Sequence, residues 1–89
     1  MKHFWIDLQT PRLARHEVVE LTVFVRNGLR KFAEVGDTNG IVTEFPKMFF
    51  AAFGPDYVVN FLDEEGCPCD PENEDKVIIQ VCQKERVLH

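Results

Sequence analysis

Cys67 and Cys69 flank Pro68 inside the segment Asp63-Glu64-Glu65-Gly66-Cys67-Pro68-Cys69-Asp70-Pro71-Glu72-Asn73-Glu74-Asp75. Thiols and carboxylates at this density are the side chains that hold metal ions or carry redox chemistry. In a metal site the two thiolates would be ligands, with Cys82 or His89 completing a tetrahedron. The spacing argues against it, because structural zinc takes cysteine pairs separated by two or more residues and here one intervenes. For calcium, the segment lacks the alternating Asp/Asn, central glycine and distal Glu of an EF-hand loop. A strained redox pair needs a basic neighbour or a helix N-terminus to lower a thiol pKa, and the segment contains neither. The expectation is therefore no metal and no cofactor, with Cys67, Cys69 and Cys82 as the remaining candidates for either. Cys82, beside Val81 and after Ile78-Ile79, reads as a buried core thiol.

The carboxylates have a second use. The formal net charge is −5, and it is concentrated: residues 1–45 hold six basic and six acidic side chains, residues 46–89 four basic and nine acidic, and seven of those nine lie in 63–75. As plain structure this is a solvated hairpin tip whose charges oppose aggregation. As function it is a contact loop in which Asp63, Glu64, Glu65, Asp70, Glu72, Glu74 and Asp75 face a basic protein surface. Direct nucleic-acid binding through that face is disfavoured, since phosphate contact needs clustered positive charge.

A second group is aromatic. Phe45, Met48, Phe49 and Phe53 share one face of a helix and would pack on a sheet, which leaves Phe50 and Trp5 as candidate anchors for a partner or a second copy of the chain. Nucleophilic chemistry is poorly provided for. The chain contains no serine, and His3, His16 and His89 stand at no recognised spacing from a nucleophile. No glycine-rich phosphate loop and no HExxH is present, and a chain of 89 residues has little room to enclose a substrate pocket. The expectation is that the protein is not an enzyme.

The elements that must position these residues follow from periodicity. Phe4, Ile6 and Leu8 alternate with His3, Trp5 and Asp7, as in a strand, so Trp5 lies on the face opposite Phe4. Thr10-Pro11 provides an N-cap and a first-turn proline for a helix. From Glu17 to Val35, Val18, Leu21, Val25, Leu29 and Phe32 recur at helical steps, with Gly36 as the stop. Residues 17–35 carry a competing signal: five of the eight residues 18–25 are β-branched, and Asn27-Gly28 is a hairpin turn pair. The segment from Leu29 to Val35 suits a helix better, so one long helix is preferred and a hairpin at 17–35, giving a mostly-β chain, is the alternative.

Asp37-Thr38-Asn39-Gly40 reads as a turn before a short extended piece at 41–45. Pro46 to Pro55 reads as a short helix. Tyr57 to Leu62 and Lys76 to Leu88 read as the two strands of an antiparallel hairpin. The expected fold is α+β, β-α-α-β-β, with a small antiparallel sheet of about three strands and one long and one short helix on one face.

Hydrophobic residues at 45%, eight of them Phe, suffice for one core in a single domain spanning 1–89. No apolar run approaches a membrane span, an acid at position 7 interrupts any leader-like start, and three cysteines do not make a secreted disulfide framework. These features imply a cytoplasmic protein with no membrane partner. The function they imply is a non-catalytic protein-binding module whose partner has a basic surface. The chain is similar in kind, by composition alone, to the small acidic inhibitors with which phages block nucleic-acid-binding surfaces of defence proteins, anti-CRISPR proteins among them. The alternatives are a metal-binding or redox protein using the three cysteines, and a structural homo-oligomer, at its simplest a homodimer, joined through the Phe-rich segment.

Overall fold

The computed structural model describes residues 3–84. Helix α1 spans Arg15–Glu34. The chain does not enter it at Thr10. Instead, Thr10 to Leu13 forms a turn, with Leu13 N–H donating to the Thr10 carbonyl, because Arg12 is drawn back to the end of the last strand. Its backbone N–H donates to Gln83 Oε1 at 2.9 Å and its guanidinium to the Lys84 carbonyl. The helix starts behind that tether, where Glu17 Oε1 accepts from the Ala14 N–H at 3.1 Å.

The hairpin alternative at 17–35 is excluded, and Gly28 shows why. It is buried where α1 crosses the third helix, and a Cβ there would stand 3.0 Å from the Phe45 ring. Asn27-Gly28 thus marks a close approach between helices, not a turn. The helix ends in a Schellman motif: Gly36 has φ +67°, its N–H donates to the Ala33 carbonyl, and the Asp37 N–H donates to that of Phe32.

A further short helix, α2 (Thr38–Thr43), replaces the expected turn and extended piece. Asp37 caps it, accepting from the Gly40 N–H at 2.9 Å. Helix α3 spans Phe45–Phe53, with Pro46 in its first turn and Gly54 (φ +85°) ending it.

Among the described residues three strands form one sheet: β1 (His3–Gln9), β2 (Tyr57–Leu62) and β3 (Lys76–Gln83), in the order β1-β3-β2. The part of the expected last strand beyond residue 84, and His89 with it, lies outside the described residues. The β2–β3 hairpin is antiparallel, but the sheet as a whole is mixed and not antiparallel, because β1 pairs with β3 in parallel. The reason is packing. Val77, Ile79 and Val81 are fully buried, so β3 is the strand that gains most from neighbours on both edges. β1 runs parallel to it, which the long connection through three helices permits, and the His3 N–H donating to the Asp75 carbonyl at 2.7 Å holds the register.

All three helices lie on one face. Leu21, Val25, Ile41, Phe45 and Phe49 meet Val77, Ile79 and Val81 there, with Phe4, Ile6, Leu8, Val59 and Phe61 closing the edges. No helix among the described residues is long and apolar enough to cross a membrane.

Candidate interaction surface

Register decides which side chains share the uncovered face of the sheet. Trp5, Asp7 and Gln9 of β1 stand level with Ile78, Gln80 and Cys82 of β3, and those with Leu62, Asn60 and Val58 of β2. The middle row is a hydrogen-bonded ladder. Gln80 Nε2 donates to Asp7 Oδ2 at 3.2 Å and Asn60 Nδ2 to Gln80 Oε1 at 3.4 Å, while Gln9 Nε2, from the neighbouring row of β1, donates to Asp7 Oδ1 at 3.0 Å. Polar groups on a half-buried face are thus paired across three strands. Sequence reasoning passed over this ladder, although the alternation that placed Trp5 opposite Phe4 places Asp7 beside Trp5 as well.

The acidic segment leaves the end of β2 as an ordered loop. Asp63 Oδ1 accepts from the Glu65 and Cys67 N–H groups, both at 2.9 Å, and Gly66 takes φ +85°. Pro68 bridges to Leu62, and the Cys69 N–H donates to the Phe61 carbonyl at 3.0 Å. Asp70 Oδ1 then accepts from the Glu72 N–H at 3.0 Å, starting a 3₁₀ turn at Pro71–Asn73 whose Pro71 is buried. Two of the seven acids, Asp63 and Asp70, are therefore structural. Oδ1 of each holds a turn, while Asp70 stays exposed and Asp63 also lines the acidic depression beside Lys76.

Glu64, Glu65, Glu72, Glu74 and Asp75 remain. Several of them line a shallow acidic depression of about 500 Å³ against Lys76. Lys76 connects the loop to the sheet: its Nζ lies 3.1 Å from Glu64 Oε1 and 5.9 Å from the centre of the Trp5 ring. Trp5 is half exposed, at 50%. Phe50, 56% exposed, belongs to α3 on the helical side of the sheet, so the structure separates the two candidate anchors. The other rings of the Phe-rich segment turn inward. Phe49 packs at 4.8 Å on Phe53 and at 5.5 Å, edge to face, on Tyr57.

The thiols are dispersed. Cys67 is exposed on the loop, Cys69 packs against the core from the loop, and Cys82 lies half-buried on the uncovered face opposite Val58. Cys82 is therefore not the core thiol expected from its neighbours, because alternation turns it away from Val81. Among the described residues no three His, Cys, Asp or Glu side chains are placed to hold a metal ion.

Burial raises the pKa of the Cys69 thiol above its ordinary value, and the negative charges of Glu74, Asp63 and Asp70 raise it further. Burial and Asp7 raise that of Cys82, against a lowering contribution from Asn60. Both shifts favour the neutral thiol, the form that neither attacks nor ligates. We expect iodoacetamide to modify Cys69 and Cys82 more slowly at pH 7 than a small free thiol, with rates rising about tenfold per pH unit until the thiol titrates. A pH-independent rate between pH 7 and 8 would contradict this.

The fold and this surface together define a class, a two-layer α+β domain with one uncovered sheet face bordered by an ordered acidic loop. No protein-family model, no curated protein and no solved structure matches the chain.

Proposed function

We propose that this protein is a non-catalytic protein-binding module, an acidic inhibitor that sets its 63–75 loop and Trp5 against a basic, nucleic-acid-binding surface of a partner protein in the cytoplasm. The observation that carries this reading is contiguity: Glu64, Lys76 and Trp5 are in series, so the acidic loop and an exposed indole form one surface. The division of labour follows interface physics. Loop carboxylates steer a basic partner and set the salt dependence. The indole supplies the desolvated anchor, since tryptophan is among the side chains that dominate binding energy. A loop held by Asp63 and Asp70 loses little conformational freedom on docking.

The test separates the two acids that hold turns, Asp63 and Asp70, from the other five. Glu64→Gln, Glu65→Gln, Glu72→Gln, Glu74→Gln and Asp75→Asn are combined, with Asp63 and Asp70 left to hold the turns. The variant should keep the fold but lose capture of a basic protein from a lysate of the cells that encode the chain. Trp5→Ala should weaken the same complex by about 2 kcal/mol or more, roughly thirtyfold. The captured protein should release nucleic acid when the wild-type chain is added. Capture that is unchanged by the five substitutions and unaffected by salt would remove the loop from the interface.

A further inference from the structure

β1 is an edge strand, with β3 on one side and no strand on the other among the described residues. Every second residue of such a strand turns its N–H and C=O outward unpaired, and proteins commonly blunt such an edge with proline, lysine, a bulge or a very short strand. β1 has none of these: it is seven residues long, reads His-Phe-Trp-Ile-Asp-Leu-Gln, and pairs with β3 in continuous register. The other edge is managed differently, since Pro68 and Cys69 lie along the end of β2.

Beside the open edge runs a groove of about 540 Å³ between β1 and α1, with Phe4, Ile6 and Leu8 on one wall and Leu29 with Arg26 and Arg30 on the other. Both arginines are exposed, and among the described residues neither has a carboxylate within ion-pair distance. One helical turn separates them, about 6 Å along the axis, close to the ~6.6 Å between alternate residues of an extended strand.

We propose that this edge accepts an extended acidic strand from a partner protein by β-strand addition. The added strand pairs with the outward backbone groups of β1. Its alternate acidic residues lie on the helical side, their methylenes against Phe4, Ile6 and Leu29 and their carboxylates at Arg26 and Arg30. The intervening apolar residues lie on the uncovered side beside Trp5. A second copy of β1 fits poorly. It would bring Arg26 and Arg30 of two chains together, and its one acid, Asp7, is already held by Gln80 and Gln9. Trp5 borders both surfaces, but the strand pairing and the two arginines do not involve the acidic loop, so failure of the loop reading leaves this inference standing.

The probe is a pool of peptides matched to the seven residues of β1, alternating glutamate with valine, isoleucine, leucine or phenylalanine. It is tested on the full chain by titration and by hydrogen exchange. Binding should protect the outward amides of β1 and weaken as salt rises. Affinity should fall about tenfold when Arg26→Glu and Arg30→Glu are combined. N-methylation of the peptide amides that face β1 should abolish binding, which separates strand pairing from charge attraction. The variants alter exposed side chains, and an unchanged circular dichroism spectrum confirms that they fold. The proposal is overturned by failure of every pool member to bind, by equal binding of a lysine-for-glutamate pool, or by protection elsewhere than β1. Dimerisation through β1 in the absence of peptide would assign the edge to a second copy instead. A single-stranded oligonucleotide bound at Arg26 and Arg30 without protection of β1 would assign it to nucleic acid.

Discussion

Phe45→Ala is expected to lower the unfolding free energy by about 3–5 kcal/mol, and Phe50→Ala by about 0.5 kcal/mol or less. The two residues stand five apart in one apolar segment, and the contrast between them tests how α3 is turned. Phe45 is completely buried. Its ring touches the place where Gly28 lacks a side chain, and it lies 6.3 Å from Phe49. Removing it leaves a cavity between α1 and α3 that the surrounding helices and sheet cannot collapse to fill. Phe50 is more than half exposed, and truncating it leaves no void.

A domain of this size has roughly 5–13 kcal/mol to lose, so Phe45→Ala consumes a large part of it. The urea midpoint should fall by more than about 1 M. Equal effects of the two substitutions would mean that α3 is rotated from the orientation described.

Gly40→Ala is expected to destabilise by about 1–3 kcal/mol although alanine is the better helix former. A Cβ at Gly40 would stand 2.5 Å from Asp37 Oδ2 and 2.6 Å from the Phe32 ring. The carboxylate can swing aside only by giving up its hydrogen bond from the Gly40 N–H, the cap of α2. The Phe32 ring packs against the core and cannot yield freely. Gaining up to about 1 kcal/mol in helix propensity does not offset the lost cap and the overpacking together. By thermal melting the midpoint should drop by about 5–20 °C. An unchanged or raised midpoint would mean that α2 does not pack against α1 as closely as described.

The two substitutions mark where local sequence logic stops. Asp37 to Gly40 carries ordinary turn chemistry, and read alone it predicts a turn followed by an extended piece. What makes it a helix is Ile41, which is buried under α1 and α3 in a way that no window of neighbours reveals. Asn27-Gly28 fails for the same reason, since the glycine answers to Phe45, seventeen residues away in the chain. Cys82 was misplaced by its apolar neighbours, because pleating gave Val81 to the core and turned the thiol outward.

The acidic segment is a partial success. Its position as the hairpin tip and its charge are legible in composition, but which carboxylates are free is not. Asp63 and Asp70 are bound by backbone N–H groups two and four residues on, and only the folded loop separates them from Glu65, Glu72 and Asp75.

By itself the sequence determined the α+β class, the order of its main elements, the inward face of β1, the long amphipathic helix and the concentration of charge in one loop. Each depends on periodicity or composition within a few residues, where steric and hydrophobic preferences act directly. The tertiary structure alone decided that β3 is central and β1 parallel to it, that Trp5 borders the acidic loop through Lys76 while Phe50 faces away, and that Arg26 and Arg30 flank an open strand edge. These depend on pairings between residues tens of positions apart, chosen by whichever arrangement buries the most apolar surface, and no local pattern carries that choice.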